Sequence, residues 1–86
     1  MTASEFSREA IARAVREVIV TVLPAVAPHT IQGHEHLQDL GADSVDRVEI
    51  VLMLLDRLQL DEPMASFNKL PDINALTTFL YERTQA

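Results

Sequence analysis

In Leu40-Gly41-Ala42-Asp43-Ser44-Val45-Asp46 a glycine and an acid lead into a serine that opens the most apolar run of the chain. Glycine reaches backbone angles closed to other residues, so Gly41 suits a turn directly before a helix. From Ser44 onward Val45, Val48, Val51, Leu52, Leu55 and Leu58 recur at three- and four-residue spacing, which predicts a helix over 44–58. Ile50, Met53 and Leu54 widen that stripe, enough to pack against several neighbours and leave surface for a partner or cargo. Ser44 therefore stands at a loop-to-helix junction. A helix N-terminus carries unpaired N–H groups and about half a unit of positive charge. A phosphodiester on that hydroxyl would be favoured there.

Upstream, Ile11, Ala14, Val15, Val18, Ile19, Val22 and Leu23 mark an amphipathic helix starting at Ser4 or Ser7 and ending before Pro24 and Pro28. A long loop over about 24–42 follows, with Ile31, Leu37 and Leu40 expected to pin it to the core. Downstream, Met64 to Leu70 is expected to form one or two helical turns. Pro71-Asp72 starts a last helix with Asp72 as N-cap, and Ile73, Leu76, Phe79 and Leu80 face the core until the chain frays near Thr84. No segment alternates apolar and polar residues, so no strand is predicted. The expected fold is all-α: a small four-helix bundle of three long helices and one short, with a long first loop, forming a single domain over 1–86.

At 86 residues the core is thin, and with 5% aromatics and no tryptophan it must be built from Leu, Val, Ile and Ala. The chain has no cysteine, hence no disulfide, thiolate metal site or cysteine nucleophile, and any thiol chemistry must come from a cofactor. No secretory signal or bilayer-length apolar run is visible, so a cytoplasmic location is expected. From Glu35 to Glu62 eight acids face only Arg47 and Arg57, so this middle third carries the whole net charge of −6. Such a face disfavours nucleic acid and suits basic protein surfaces.

The stretch Gly41-Ala42-Asp43-Ser44-Val45-Asp46, midway along an all-helical chain of this length, resembles the attachment site of acyl carrier proteins, with Val45 where Leu or Ile is usual. Leu60-Asp61-Glu62-Pro63 resembles the segment after their second helix and Asp72-Ile73 the start of the last, so the likeness covers nearly the whole chain. The resemblance implies a 4′-phosphopantetheine arm esterified to Ser44, installed from coenzyme A by a phosphopantetheinyl transferase that itself holds most of the Mg²⁺ coordination. The arm's thiol would carry acyl groups as thioesters while partner enzymes do the chemistry, so the chain is expected to be no enzyme. Asp43 would orient the serine or assist metal binding during installation. Asp46, Arg47, Val48 and Glu49 are candidates for partner contact, with core packing the competing role for Val48 and Val51.

Two departures refine the resemblance. Fatty-acid carriers have a strongly acidic second helix, whereas Val51-Leu52-Met53-Leu54-Leu55-Asp56-Arg57 is more apolar, and Arg47 stands where a small or apolar residue is common. The run Asp43-Ser44-Val45-Asp46-Arg47 is similar to the stand-alone donor carriers of polyketide β-branching cassettes, which hold an acetyl group for a hydroxymethylglutaryl-synthase-like (HMG-synthase-like) enzyme. That implies acetyl- or malonyl-type cargo, ketosynthase, acyltransferase or HMG-synthase-like partners, and a free-standing protein, monomeric when free. A type II fatty-acid synthase carrier is the alternative within the family, and a peptidyl or aminoacyl carrier comes next. Outside it stands a small helical interaction protein with no prosthetic group, in which Ser44 is a plain N-cap.

A catalytic serine lacks its Gly-x-Ser-x-Gly elbow, parallel sheet and base. His34-Glu35-His36 and His29 could grip zinc only if a third ligand converged. No cysteine supports such a site, and solvated or interfacial histidines are the alternative.

Overall fold

The computed structural model describes residues 7–70 and 72–85. Three α-helices order the chain: α1 (Arg8–Val22), α2 (Ser44–Leu58) and α3 (Ile73–Gln85), and no strand occurs among the described residues. Short 3₁₀ turns at Pro28–Thr30, Leu37–Leu40 and Met64–Phe67 punctuate the connections. The helix expected within Met64–Leu70 is thus a single 3₁₀ turn, since four residues after Pro63 are too few to sustain an α-helical ladder.

Each helix start has a local chemical cause. The Ser7 hydroxyl accepts the Ala10 N–H at 3.1 Å and so caps α1; the alternative start at Ser4 lies outside the described residues. The Asp72 carboxylate accepts the Ala75 N–H at 2.8 Å and caps α3, while Pro71 lies outside the described residues. α3 continues through Thr84 to Gln85. At the end of α2, Gln59 takes the left-handed conformation (φ 57°), and the Leu60 N–H reaches back to the Leu55 carbonyl at 2.9 Å. That closure satisfies carbonyls the ladder would otherwise leave open.

α1 packs against both α2 and α3. It contributes Ile11, Val15 and Ile19, which are fully buried, and meets Ile50 and Leu54 of α2 and Leu80 of α3 in one continuous core. Burying each such side chain stabilises the fold by about 1.5–3 kcal/mol. Ile73, Leu76 and Leu80 face this core as expected, with Phe79 half-buried. Thr77 is also buried, its hydroxyl donating to the Ile73 carbonyl at 2.9 Å.

The α2 stripe requires a correction. The buried side chains are Ile50, Val51, Leu54, Leu55 and Leu58, whereas Val45, Val48 and Leu52 are 72, 42 and 52% exposed. Apolar residues occupy so much of the circumference of this helix that periodicity alone does not tell the core face from the outer one.

The long loop is held at three points. Ile31 is buried, Leu37 and Leu40 pack against the core, and the loop carbonyls of Gly33 and Glu35 accept the first N–H groups of α3, from Asn74 at 2.8 Å and Ile73 at 2.9 Å. This approach is close enough that a Cβ on Gly33 would lie 2.2 Å from Asn74 Oδ1.

Candidate functional site

The 3₁₀ turn Leu37–Leu40 delivers the chain to the head of α2. Gly41 (φ 98°) closes it in the left-handed conformation, its N–H bonding to Gln38 O at 3.0 Å while the Ala42 N–H bonds to Leu37 O at 3.3 Å. Ala42 is buried beneath the turn and Asp43 emerges as the helix cap. Asp43 Oδ1 accepts the Asp46 N–H at 2.8 Å, and Asp46 Oδ2 accepts the Asp43 N–H at 3.2 Å, a reciprocal capping box.

Ser44 is therefore the first residue inside the helix, and the cap is Asp43. This corrects the plain-cap role for the serine: the Ser44 side chain is exposed and has no hydrogen-bond partner among the described residues. The Ser44 and Val45 amides are likewise uncommitted there. An exposed hydroxyl, two open N–H groups and the positive end of a fifteen-residue helix meet at one point.

Beside this point lies a cleft of about 250 Å³. Ser44, Arg47, Val48 and Val51 of α2 form one wall, and Met64, Phe67 and Leu76 supply an apolar side opposite. His36 and Gln38 of the first loop and Asn68 and Asp72 make its other polar lining. The far wall is braced: Phe67 meets Phe79 edge-to-face at 5.2 Å, and Arg83 lies 5.0 Å over the Phe79 ring and 3.5 Å from Glu62. Contacts of this kind contribute about 0.5–1.5 kcal/mol each.

The sequence-derived candidates divide between two faces. Ser44, Arg47 and Val48 share the cleft with the buried Val51, and Asp43 and Asp46 hold the helix start. Glu49 is exposed on α2. Missed in the sequence were Val45 and Leu52, which with Val48 form an exposed apolar stripe, and Met64 and Phe67, which line the cleft. The spacing of Val45, Val48 and Leu52 is helical, but it alone does not tell which part of the broad α2 stripe meets the core and which is left as surface. His36 reaches the cleft, His29 and His34 are exposed elsewhere on the loop, and among the described residues no three or more metal-ligating side chains gather.

Residues 13–80 match the family described as the phosphopantetheine attachment site. The polyketide biosynthesis acyl-carrier-protein AcpK of Bacillus subtilis (strain 168) is 38% identical over 74 residues, spanning 81% of this chain and 90% of that one. The chain belongs to the acyl carrier protein family. The acyl carrier protein of Campylobacter hominis is 36% identical over 67 residues, 77% of this chain and 84% of its own, and that of Campylobacter fetus subsp. fetus 33% over 67, covering 77% and 86%. No solved structure gives a significant match. As a member of this family the protein is a carrier and not a catalyst, and the group it bears is phosphopantetheine. Members of this carrier family work with a phosphopantetheinyl transferase and with synthase enzymes. Among the described residues no helix is long and apolar enough to cross a membrane. The residues present fit the carrier's prosthetic group: a phosphodiester on the Ser44 hydroxyl would meet open amides and a helix N-terminus, and the adjoining cleft would give an arm an apolar wall to lie against.

Proposed function

We propose that Ser44 bears the phosphopantetheine arm and that this carrier serves polyketide biosynthesis, holding acetyl- or malonyl-type groups and donating acetyl to an HMG-synthase-like β-branching enzyme. The observation that carries the attachment is the exposed, uncommitted Ser44 hydroxyl at the head of α2, where the capping task is discharged by Asp43. Installation forms the bond from Ser44 Oγ to phosphorus and breaks the pyrophosphate of coenzyme A, releasing adenosine 3′,5′-bisphosphate; the serine proton goes to a base of the transferase. Once attached, the arm supplies a thiol that holds acyl groups as thioesters. Asp43 fixes the helix start and so the direction of the serine.

The pathway reading is supported by the likeness to a carrier named for polyketide biosynthesis and by the outer face of α2. There Val45, Val48 and Leu52 form an apolar stripe beside the exposed acids Glu49 and Asp56, a surface suited to an apolar partner patch ringed by Lys and Arg. Arg47 and Asp46 flank it at the helix start.

The test is acetyl transfer. The acetyl-loaded protein should pass its cargo to an HMG-synthase-like enzyme, and Leu52→Asp should slow transfer at least tenfold without lowering thermal stability. Acceptance by a type II fatty-acid ketosynthase with none by the HMG-synthase-like enzyme would make it a fatty-acid carrier, the reading favoured by its likeness to the Campylobacter proteins.

A further inference from the structure

Arg47, like Arg13, Arg16 and Lys69, has no polar partner among the described residues, but of these four it alone lines the cleft beside Ser44. Arg57 pairs with Glu17, Arg83 with Glu62 and the Phe79 ring, and Arg8 donates to Thr78 Oγ1 at 2.8 Å. Arg47 has no ion-pair or hydrogen-bond partner among the described residues. Its natural helical partner, Asp43 four residues earlier, already accepts the Asp46 amide, and Asp46 accepts that of Asp43. A free cation so near the start of a helix also opposes the macrodipole, an arrangement that is unfavourable until an anion joins it.

We propose that Arg47 is a positioning residue for the prosthetic arm: its guanidinium takes the phosphodiester on Ser44 and turns the arm into the neighbouring cleft. The proposal rests on Ser44 being the attachment site. Residues three apart on a helix bring their Cβ atoms to about 5–6 Å, within reach of an arginine and a phosphate ester. Ser44 and Arg47 line the same cleft, so the contact lies on its rim. An arm held there runs past Val48 toward Met64 and Phe67, and away from the solvent side of α2 where Val45 and Leu52 stand. The guanidinium fork suits a phosphate oxygen pair better than an ammonium does, so lysine should replace it only in part.

The experiment compares the wild type, Arg47→Ala and Arg47→Lys, each with and without the arm, after intact mass confirms modification. In the wild type the arm should raise Tm by about 2–5 °C more than in Arg47→Ala, a gain erased at high salt. NMR cross-peaks between arm protons and Met64 or Phe67 should be present in the wild type, weaker in Arg47→Lys and lost in Arg47→Ala. Equal arm-induced Tm changes, or unchanged cross-peaks in Arg47→Ala, would overturn the proposal. So would failure of Arg47→Ala to be modified, which would assign Arg47 to the transferase interface. Absence of modification in the wild type would instead remove the Ser44 reading beneath it.

Discussion

Replacing Asp43 and Ser44 separately by alanine should divide the structural from the chemical role of this junction. Asp43→Ala leaves the Asp46 amide without its 2.8 Å acceptor, while the 3.2 Å bond from the backbone amide of residue 43 to the Asp46 carboxylate is retained. Loss of an N-cap costs about 0.5–2 kcal/mol, and loss of a carboxylate at the dipole's positive end adds about 0.3–1 kcal/mol. A total near 2 kcal/mol corresponds to a Tm lowered by roughly 8–16 °C in a domain of this size. Ser44→Ala removes an exposed hydroxyl with no partner among the described residues and installs the best helix former, so its effect should stay within about 0.5 kcal/mol. Urea unfolding followed by far-ultraviolet circular dichroism measures both. Asp46→Ala should still cost about 0.5–1.5 kcal/mol in the Asp43→Ala background, because its carboxylate bonds the backbone amide of residue 43, which alanine keeps. A Ser44→Ala protein destabilised as much as Asp43→Ala would return the serine to a capping role.

Leu54→Ala opens a cavity at a fully buried position where α2 meets α1, and urea unfolding should read a loss of about 3 kcal/mol with the m-value kept. Gly41→Ala should cost about 1 kcal/mol through its φ of 98° alone, as a Cβ there has nothing within 4 Å; thermal melts check this. Arg57→Ala breaks an exposed pair with Glu17, its partners 46 and 49% exposed, and should change stability by less than about 1 kcal/mol, vanishing at high salt in the same melts.

Much of this architecture was legible because strong local signals agreed. Pro24 after an amphipathic run, Gly41 before Asp43, and Asp72 before Ile73 marked helix ends to within a residue or two. Ser44 stood out because a glycine turn and an apolar helix bracket it. The serine's neighbour is the cap because Asp43 and Asp46 sit three apart, a capping-box spacing that the sequence displays but that competes with Ser44 as an equally good capping residue type. The exposed side of α2 was hidden for a different reason. With valines and leucines on most sides of the helix, only the direction of α1 decides that Ile50 and Leu54 turn inward while Val45 and Leu52 stay out. The cleft was likewise invisible, because tertiary packing brings Met64 and Phe67 to the same cleft as Ser44 from about twenty residues away along the chain.

Attachment of the arm at Ser44 is read from the intact mass of the protein before and after incubation with coenzyme A, Mg²⁺ and a broad-specificity phosphopantetheinyl transferase. A gain of about 340 Da is expected, mapped to Ser44 by peptide fragmentation and absent in a folded Ser44→Ala protein. An unchanged mass with a transferase active on a control carrier, or a gain that persists in Ser44→Ala, would contradict attachment at Ser44.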